Sequence, residues 1–247
     1  MGAGVWRSPI SRLCKPSGRL QPMAGILITF EGIEGSGKTT QASLLADRLR
    51  EQGLSVFPTR EPGGTHLGEG IRRLVLEPGQ EAIDPVAELF LMEAARAQHV
   101  AAKIRPALDA GKVVLCDRFT DSTLVYQGLA RGLAWKTIED VNLLAAKGIR
   151  PHTTILLDLD ISAGLARTRT RADSAVQADG SIETGETNRF DLEDREFHEI
   201  VRSGFLRLAK EDPGRVKVVR AAGSAEEVHE EVWRALEKTL ESAAPCG

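Results

Sequence analysis

Short apolar runs and longer stretches with apolar residues three or four apart take turns along this chain. Gly25-Ile26-Leu27-Ile28-Thr29-Phe30 is nearly all apolar and suits a strand buried on both faces. Segments 54–59, 112–116, 153–158 and 216–219 predict four more strands. Leu44, Leu45 and Leu49 fall at helical spacing within 38–53, and Gly53 supplies a stop. Further helices are predicted over 66–76, 85–110 with a bend near Pro106, 120–130, 135–147, 162–171, 192–210 and 225–240. Strands alternating with helices imply an α/β fold, a five-stranded parallel sheet with helices on both faces. Sites in such sheets form at the carboxyl ends of the strands. The first three strands run into Gly32, Arg60 and Asp117, so three polar clusters converge on one edge.

Two segments depart from this rhythm. Residues 1–22 carry Arg7, Arg12, Lys15 and Arg19 with no acidic residue. They lack both the amphipathic period of an organelle-targeting segment and the apolar core of a secretory signal, so a disordered extension is expected ahead of a single domain over 23–247. Residues 172–188 are rich in Gly, Ser, Thr, Ala and acids and predict a mobile loop, the centre of a flexible lid around 167–190.

Composition narrows the classes of function. No run of 18 apolar residues exists among the 247, so no membrane-spanning helix is expected. A net charge of −3 argues against a dedicated nucleic-acid binder. Cys14, Cys116 and Cys246 are far apart and form no CxxC pair, which disfavours a disulfide framework or zinc site and suits the cytoplasm.

Gly32-Ile33-Glu34-Gly35-Ser36-Gly37-Lys38-Thr39 fits G-x-x-x-x-G-K-[ST] at every fixed position, after a predicted strand and before a predicted helix. Glycines let successive backbone N–H groups turn inward around an anion, and the following helix adds its positive end. Lys38 is expected at the β- and γ-phosphates of ATP, and Thr39 at a magnesium ion, with Thr40 next along the helix. The motif alone serves a kinase, an ATPase or a switch GTPase. Acceptor-side cations separate these. A monophosphate acceptor carries about two negative charges near neutral pH, and arginine offsets them bidentately. Arg60, Arg96 and Arg118 are the candidates.

Taken together, these motifs resemble those of bacterial thymidylate kinases over most of 25–240. Phe30-Glu31-Gly32 through Thr39 is similar to that family's phosphate loop, and Thr59-Arg60-Glu61-Pro62-Gly63-Gly64-Thr65 to its acceptor loop. Ala94-Ala95-Arg96-Ala97-Gln98-His99 resembles its substrate helix. Asp117-Arg118-Phe119, Ser122 and Tyr126-Gln127-Gly128 resemble its DR[FYH]-x-x-S-x-x-x-Y-Q-G signature, and Arg189-Phe190-Asp191 with Phe197-His198 the end of its lid. The resemblance implies ATP and Mg²⁺ as cofactors, dTMP as acceptor and a homodimer. It places Arg60 and Arg118 on the acceptor phosphate, Arg96 on a thymine carbonyl, and Ser122, Thr123 and Gln127 around base and sugar. Glu34 would face the deoxyribose hydroxyl or the phosphate, and Asp117 would support the magnesium shell. Gly35 cannot supply the cation that stabilises the transferring group, which assigns that cation to the lid: Arg189 first, then Arg167, with Arg169 and Arg171 also present. Two features depart from the family. Met92 stands where an aromatic residue stacks on thymine, leaving Met92 or Phe90 to serve, and the insert 172–188 is long. Another nucleoside monophosphate kinase, or a non-catalytic nucleotide-binding module, is the alternative reading.

Overall fold

The structure, a computed structural model, describes residues 25–78, 81–175 and 188–243. Residues 1–22, expected as an extension, lie outside the described residues, as does most of the expected lid loop. Five strands, β1 (Ile26–Glu31), β2 (Val56–Arg60), β3 (Val113–Asp117), β4 (Thr153–Asp158) and β5 (Val216–Arg220), form one parallel sheet in the order β2-β3-β1-β4-β5. The order places β1 at the centre, with its neighbours β3 and β4 reached by crossovers in opposite directions. That reversal opens a crevice at the carboxyl edge beside β1, the usual ligand position in such sheets.

Alternation along each strand explains why helices cover both faces. Ile26, Ile28 and Phe30 of β1 join Val113 and Leu115 of β3 in one core cluster, together with Leu45 and Leu49 of α1 (Lys38–Glu51). The same cluster takes Phe197, Val201 and Phe205 of α8 (Arg195–Glu211) and Val232 and Leu236 of α9 (Ala225–Ala243). Leu27, Val114 and Cys116 point the other way, against Val100, Ile104 and Ala107. Successive side chains on a strand face opposite sides, so both sets must be apolar here.

The expected helix 85–110 is divided into α3 (Pro85–His99), a π-helical turn Val100–Ile104, and α4 (Arg105–Asp109). Pro106 has no N–H to give to the preceding turn, and the wider spiral just ahead of it absorbs the mismatch. Asp84 caps α3 through the Val86 and Ala87 N–H groups, and Thr65 caps α2 (His66–Leu76) through Gly68. The expected helix 120–130 becomes a short α5 (Thr120–Thr123) followed by a second π-helical stretch, Leu124–Ala130. After α6 (Trp135–Ala145), α7 (Ile161–Ala175) runs four residues beyond its expected end. Arg189–Leu192 is a 3-10 turn closed by a capping box between Asn188 and Asp191, and α8 starts only at Arg195 because Asp194 caps it.

Candidate active site

The phosphate loop joins β1 to α1, and its glycines adopt conformations that side chains disfavour. Gly32 has φ 139°, Gly35 has φ 71° and Gly37, at the start of α1, has φ 92°. A Cβ on Gly35 would sit 2.3 Å from the Gly164 carbonyl of α7, so the loop and the root of the expected lid touch through backbone. The Lys38 ammonium donates to the carbonyls of Gly32 at 3.1 Å and Ile33 at 2.8 Å and to the Ser36 hydroxyl at 3.3 Å. Burial, with the like charge of Arg118, lowers its pKa to about 8.

Two cavities meet on this loop. One, of about 330 Å³, is lined by Gly35 to Gln41, including Thr40, and by Arg167, Ala221, Gly223 to Ala225 and Val228. The other, of about 250 Å³, is lined by Glu34, Arg60, Arg72, Met92, Arg96, Arg118, Ser122, Thr123 and Gln127. Gly35, Lys38 and Thr39 belong to both. At the junction, the Thr39 hydroxyl donates to Asp117 Oδ2 at 2.6 Å, pairing the two oxygen ligands expected around magnesium. Hard oxygen donors of this kind suit Mg²⁺.

Arg118 follows β3 in the left-handed region, φ 70°, which turns its side chain into the second cavity. There it donates to Glu34 at 2.9 Å and to Ser122 at 3.1 Å, and lies 5.0 Å over the Tyr126 ring. Glu34 also accepts from the Tyr126 hydroxyl at 2.6 Å and faces His198 Nδ1 at 3.5 Å. Burial would raise the Glu34 carboxyl, but His198, Arg118, Lys38 and Tyr126 outweigh it and hold it at about 2. Burial lowers His198, and the Glu34 carboxylate more than offsets this to raise it. Beneath, Glu31 accepts from the Phe119 N–H at 2.8 Å and the Ser122 hydroxyl at 2.6 Å. Its burial, and then Asp121, push its pKa to about 7.

Arg96 forms the floor and is only 4% exposed. Nε donates to Glu61 at 2.8 Å, and Nη1 to Thr123 at 2.8 Å, Asn142 at 2.6 Å and Glu93. Burial is the main influence on the Glu93 carboxyl and raises it despite Arg96. His99 braces this group, hydrogen-bonded through Nε2 to Thr59 at 2.7 Å and through Nδ1 to Glu61 at 3.0 Å. Arg60 reaches Glu69 at 3.1 Å, while Arg72 donates to the Pro62 carbonyl at 3.0 Å. Burial and the nearby Arg60 charge lower the Arg72 pKa.

The structure thus gathers every expected acceptor-side residue in one cavity and adds Glu61, Arg72 and Tyr126 to its lining, with Glu31, His99 and His198 buried behind it against Ser122, Glu61 and Glu34. Glu31, Glu61, His99, Tyr126 and His198 all stand within the family-like motifs, which gave them a usable signal. Arg72 had none beyond helical spacing. Two expectations change. Phe90 is 62% exposed, and Met92, two positions on and so on a different side of α3, lines the cavity. Arg167, not Arg189, lies at the phosphate loop, 3.4 Å from the Gly35 carbonyl and 3.3 Å from that of Ala221. Arg189 instead donates to the Val75 carbonyl at 3.2 Å and pairs with Glu88. Arg169 is exposed, and the Arg171 side chain lies outside the described residues.

The family model described as thymidylate kinase matches residues 30–232. A thymidylate kinase from Syntrophotalea carbinolica is 52% identical over 206 residues, 83% of this chain and 92% of the relative. One from Symbiobacterium thermophilum is 46% identical, covering 87% of this chain and 94% of the relative. The crystal structure of thymidylate kinase from Ehrlichia chaffeensis superposes with a TM-score of 0.68 at 34% identity, covering 87% of this chain and all of that one.

The depressed Lys38 pKa gives a pH dependence. Raising pH through about 8 removes its charge in the free protein, and with it an attraction for phosphate. The expected kcat/KM for a nucleoside triphosphate falls on the alkaline side with an apparent pKa near 8. A profile flat to pH ~10, near an unperturbed lysine, refutes the assignment.

Proposed function

The chain belongs to the thymidylate kinase family, and on that premise we propose how its own residues move the γ-phosphoryl group of ATP to dTMP, giving ADP and dTDP. The observation that carries the reading is the pair of cavities sharing Gly35, Lys38 and Thr39. A donor on one side and an acceptor on the other meet where the loop's charge is concentrated. ATP lies on the Ala221–Val228 side with its phosphates over Gly35, Ser36, Gly37, Lys38, Thr39 and Thr40. dTMP lies on the arginine side.

Arg60, Arg72 and Arg118 hold the acceptor phosphate, whose oxygen is already largely deprotonated near neutral pH and attacks the γ-phosphorus without a general base. Catalysis therefore comes from positioning and charge. Glu34, kept ionised, fixes Arg118. Thr39 and Asp117 are the residues that hold Mg²⁺, which when bound offsets phosphate charge. Met92 packs against the base through its polarizable side chain, Arg96 meets a carbonyl of the base, and Ser122, Thr123 and Gln127 complete the pocket. Arg167 supplies the cation that Gly35 cannot. Arg189, at the far root of the lid, first has to leave Glu88 to take that part. The buried free thiol of Cys116 suits the reducing cytoplasm, where we place the enzyme. No helix among the described residues is long and apolar enough to cross a membrane.

A homodimer fits the exposed apolar side chains of three neighbouring helices, Leu74 at 54%, Phe90 at 62% and Leu144 at 78%. Light scattering is expected to give twice the chain mass, and Phe90→Asp to give the monomer; a monomeric wild type removes the proposal.

A coupled assay of ADP release with dTMP, dUMP, dGMP, dAMP and CMP tests the reaction. Release is expected to depend on acceptor and to be fastest with dTMP. Acceptor-independent release points to an ATPase, and a faster rival acceptor to another monophosphate kinase. In the same assay Arg167→Ala is expected to lower kcat by ~10³, as for other arginine fingers, with the unfolding midpoint unchanged. Near-normal turnover refutes its role.

A further inference from the structure

Glu88, on α3, is completely buried and does not line either cavity. Its carboxylate collects three donors from two segments, the π-helical stretch 124–130 with its C-cap Arg131 and the turn at Arg189. Gln127 Nε2 donates at 2.7 Å and Arg131 Nε lies at 3.5 Å, both to Oε1, while Arg189 pairs with Oε2. Gln127 is the member that faces the acceptor cavity, and it is only 2% exposed.

A side-chain amide can face either way, and its neighbours decide which. An ionised carboxylate accepts hydrogen bonds and donates none, and two guanidiniums are at hand as its counter-charges. Gln127 must therefore turn its NH₂ group to Glu88, which leaves Oε1 for the cavity. That oxygen makes no hydrogen bond among the described residues. Arg96 lines the same cavity with Nε and Nη1 committed, and its Nη2 is likewise without a hydrogen bond among the described residues. Gln127 Oε1 and Arg96 Nη2 are thus an acceptor and a donor whose directions are fixed from behind.

We propose that Glu88 is a positioning residue for base selection: it locks the Gln127 amide in the orientation that accepts a hydrogen bond from the base. This rests on the acceptor-cavity reading above. An imide edge, N–H beside C=O, complements an acceptor and a donor. A cytosine edge, with a ring-nitrogen acceptor beside an amino donor, sets acceptor against acceptor and donor against donor. Such mismatches are costly because the buried groups go unpaired. A neutral amide at position 88 can donate as well as accept, so it no longer dictates which way Gln127 turns.

The test compares kcat/KM for dTMP and dCMP in the wild type and in Glu88→Gln. The dTMP preference is expected to narrow about tenfold, the size of one misoriented hydrogen bond, mainly through KM. Arg131→Gln removes a counter-charge of the same carboxylate but leaves the Gln127 bond, and it is expected to keep the wild-type ratio. A Glu88→Gln enzyme that loses activity equally on both nucleotides overturns the proposal, as does an equal narrowing in Arg131→Gln. If Glu88→Gln alone does not fold, Glu88→Gln with Arg189→Gln removes the guanidinium whose carboxylate is lost, since Arg131 keeps Glu193, and carries the same comparison. A wild type with no preference for dTMP over dCMP overturns the cavity reading and this inference with it; a normal wild-type preference that survives in Glu88→Gln overturns only the role of Glu88.

Discussion

Holding several arginines and a lysine together before any phosphate is bound is the constraint on which the site depends. Arg118 is where it is met. Its backbone takes the left-handed conformation, φ 70°, while its N–H still bonds to the Phe30 carbonyl at 2.9 Å, so the strand edge is kept and only the side chain is turned inward. Backbone strain of this kind costs on the order of 1–3 kcal/mol and persists only where the surroundings fix it. Here Glu34 in the phosphate loop, Ser122 in α5 and the Tyr126 ring all take hold of the guanidinium. The phosphate loop and the turn after β3 are thereby one unit.

Carboxylates repeat this arrangement around the cavity. Glu34 pairs with Arg118, Glu61 and Glu93 with Arg96, and Glu69 with Arg60. Each removes repulsion that would otherwise push the cations apart, and each gives its arginine a set direction. Lys38 is different. It leans on carbonyl oxygens, which carry no full charge, and its lowered pKa reflects burial beside Arg118. Arg60, Arg96 and Arg118 are thus preset by fixed carboxylates, whereas Lys38 has no direct carboxylate partner among the described residues, which leaves its charge for a bound anion such as the triphosphate proposed above.

Much of this was legible in the sequence because it is local. The alternation of apolar runs and helical spacing yielded all five strands, and the phosphate loop is eight consecutive residues whose glycines set its backbone. Arg60 and Arg118 follow strands directly, so their place at the sheet edge follows from topology alone. What could not be read is what depends on partners far apart along the chain. Glu31 meets Ser122, Glu34 meets Tyr126 and His198, and Glu88 meets Gln127 and Arg189. No periodicity reports such pairings. The placement of Arg167 and Arg189 is of the same kind: both flank the expected lid, and only the close backbone approach of Gly35 to Gly164 puts the α7 side next to the phosphate loop.

Met92 illustrates how packing rather than residue type sets a role. Helical geometry turns Phe90 about 200° from Met92, given 3.6 residues per turn, so an aromatic two positions early cannot substitute without unwinding α3. Asp84 and Pro85 fix the start of that helix, and Arg96, tied to Glu61, Glu93, Thr123 and Asn142, fixes its register near the end. Phe119 and Phe190 also line the cavity, but Phe119 is fully buried with the Arg96 guanidinium 5.4 Å above it, and Phe190 packs edge-on to Tyr126 at 5.5 Å. Both rings are already committed to holding the walls. The Met92 thioether is therefore left in the cavity wall, beside Arg96 and Gln127, whose directions are held by the buried carboxylates of Glu61, Glu93 and Glu88.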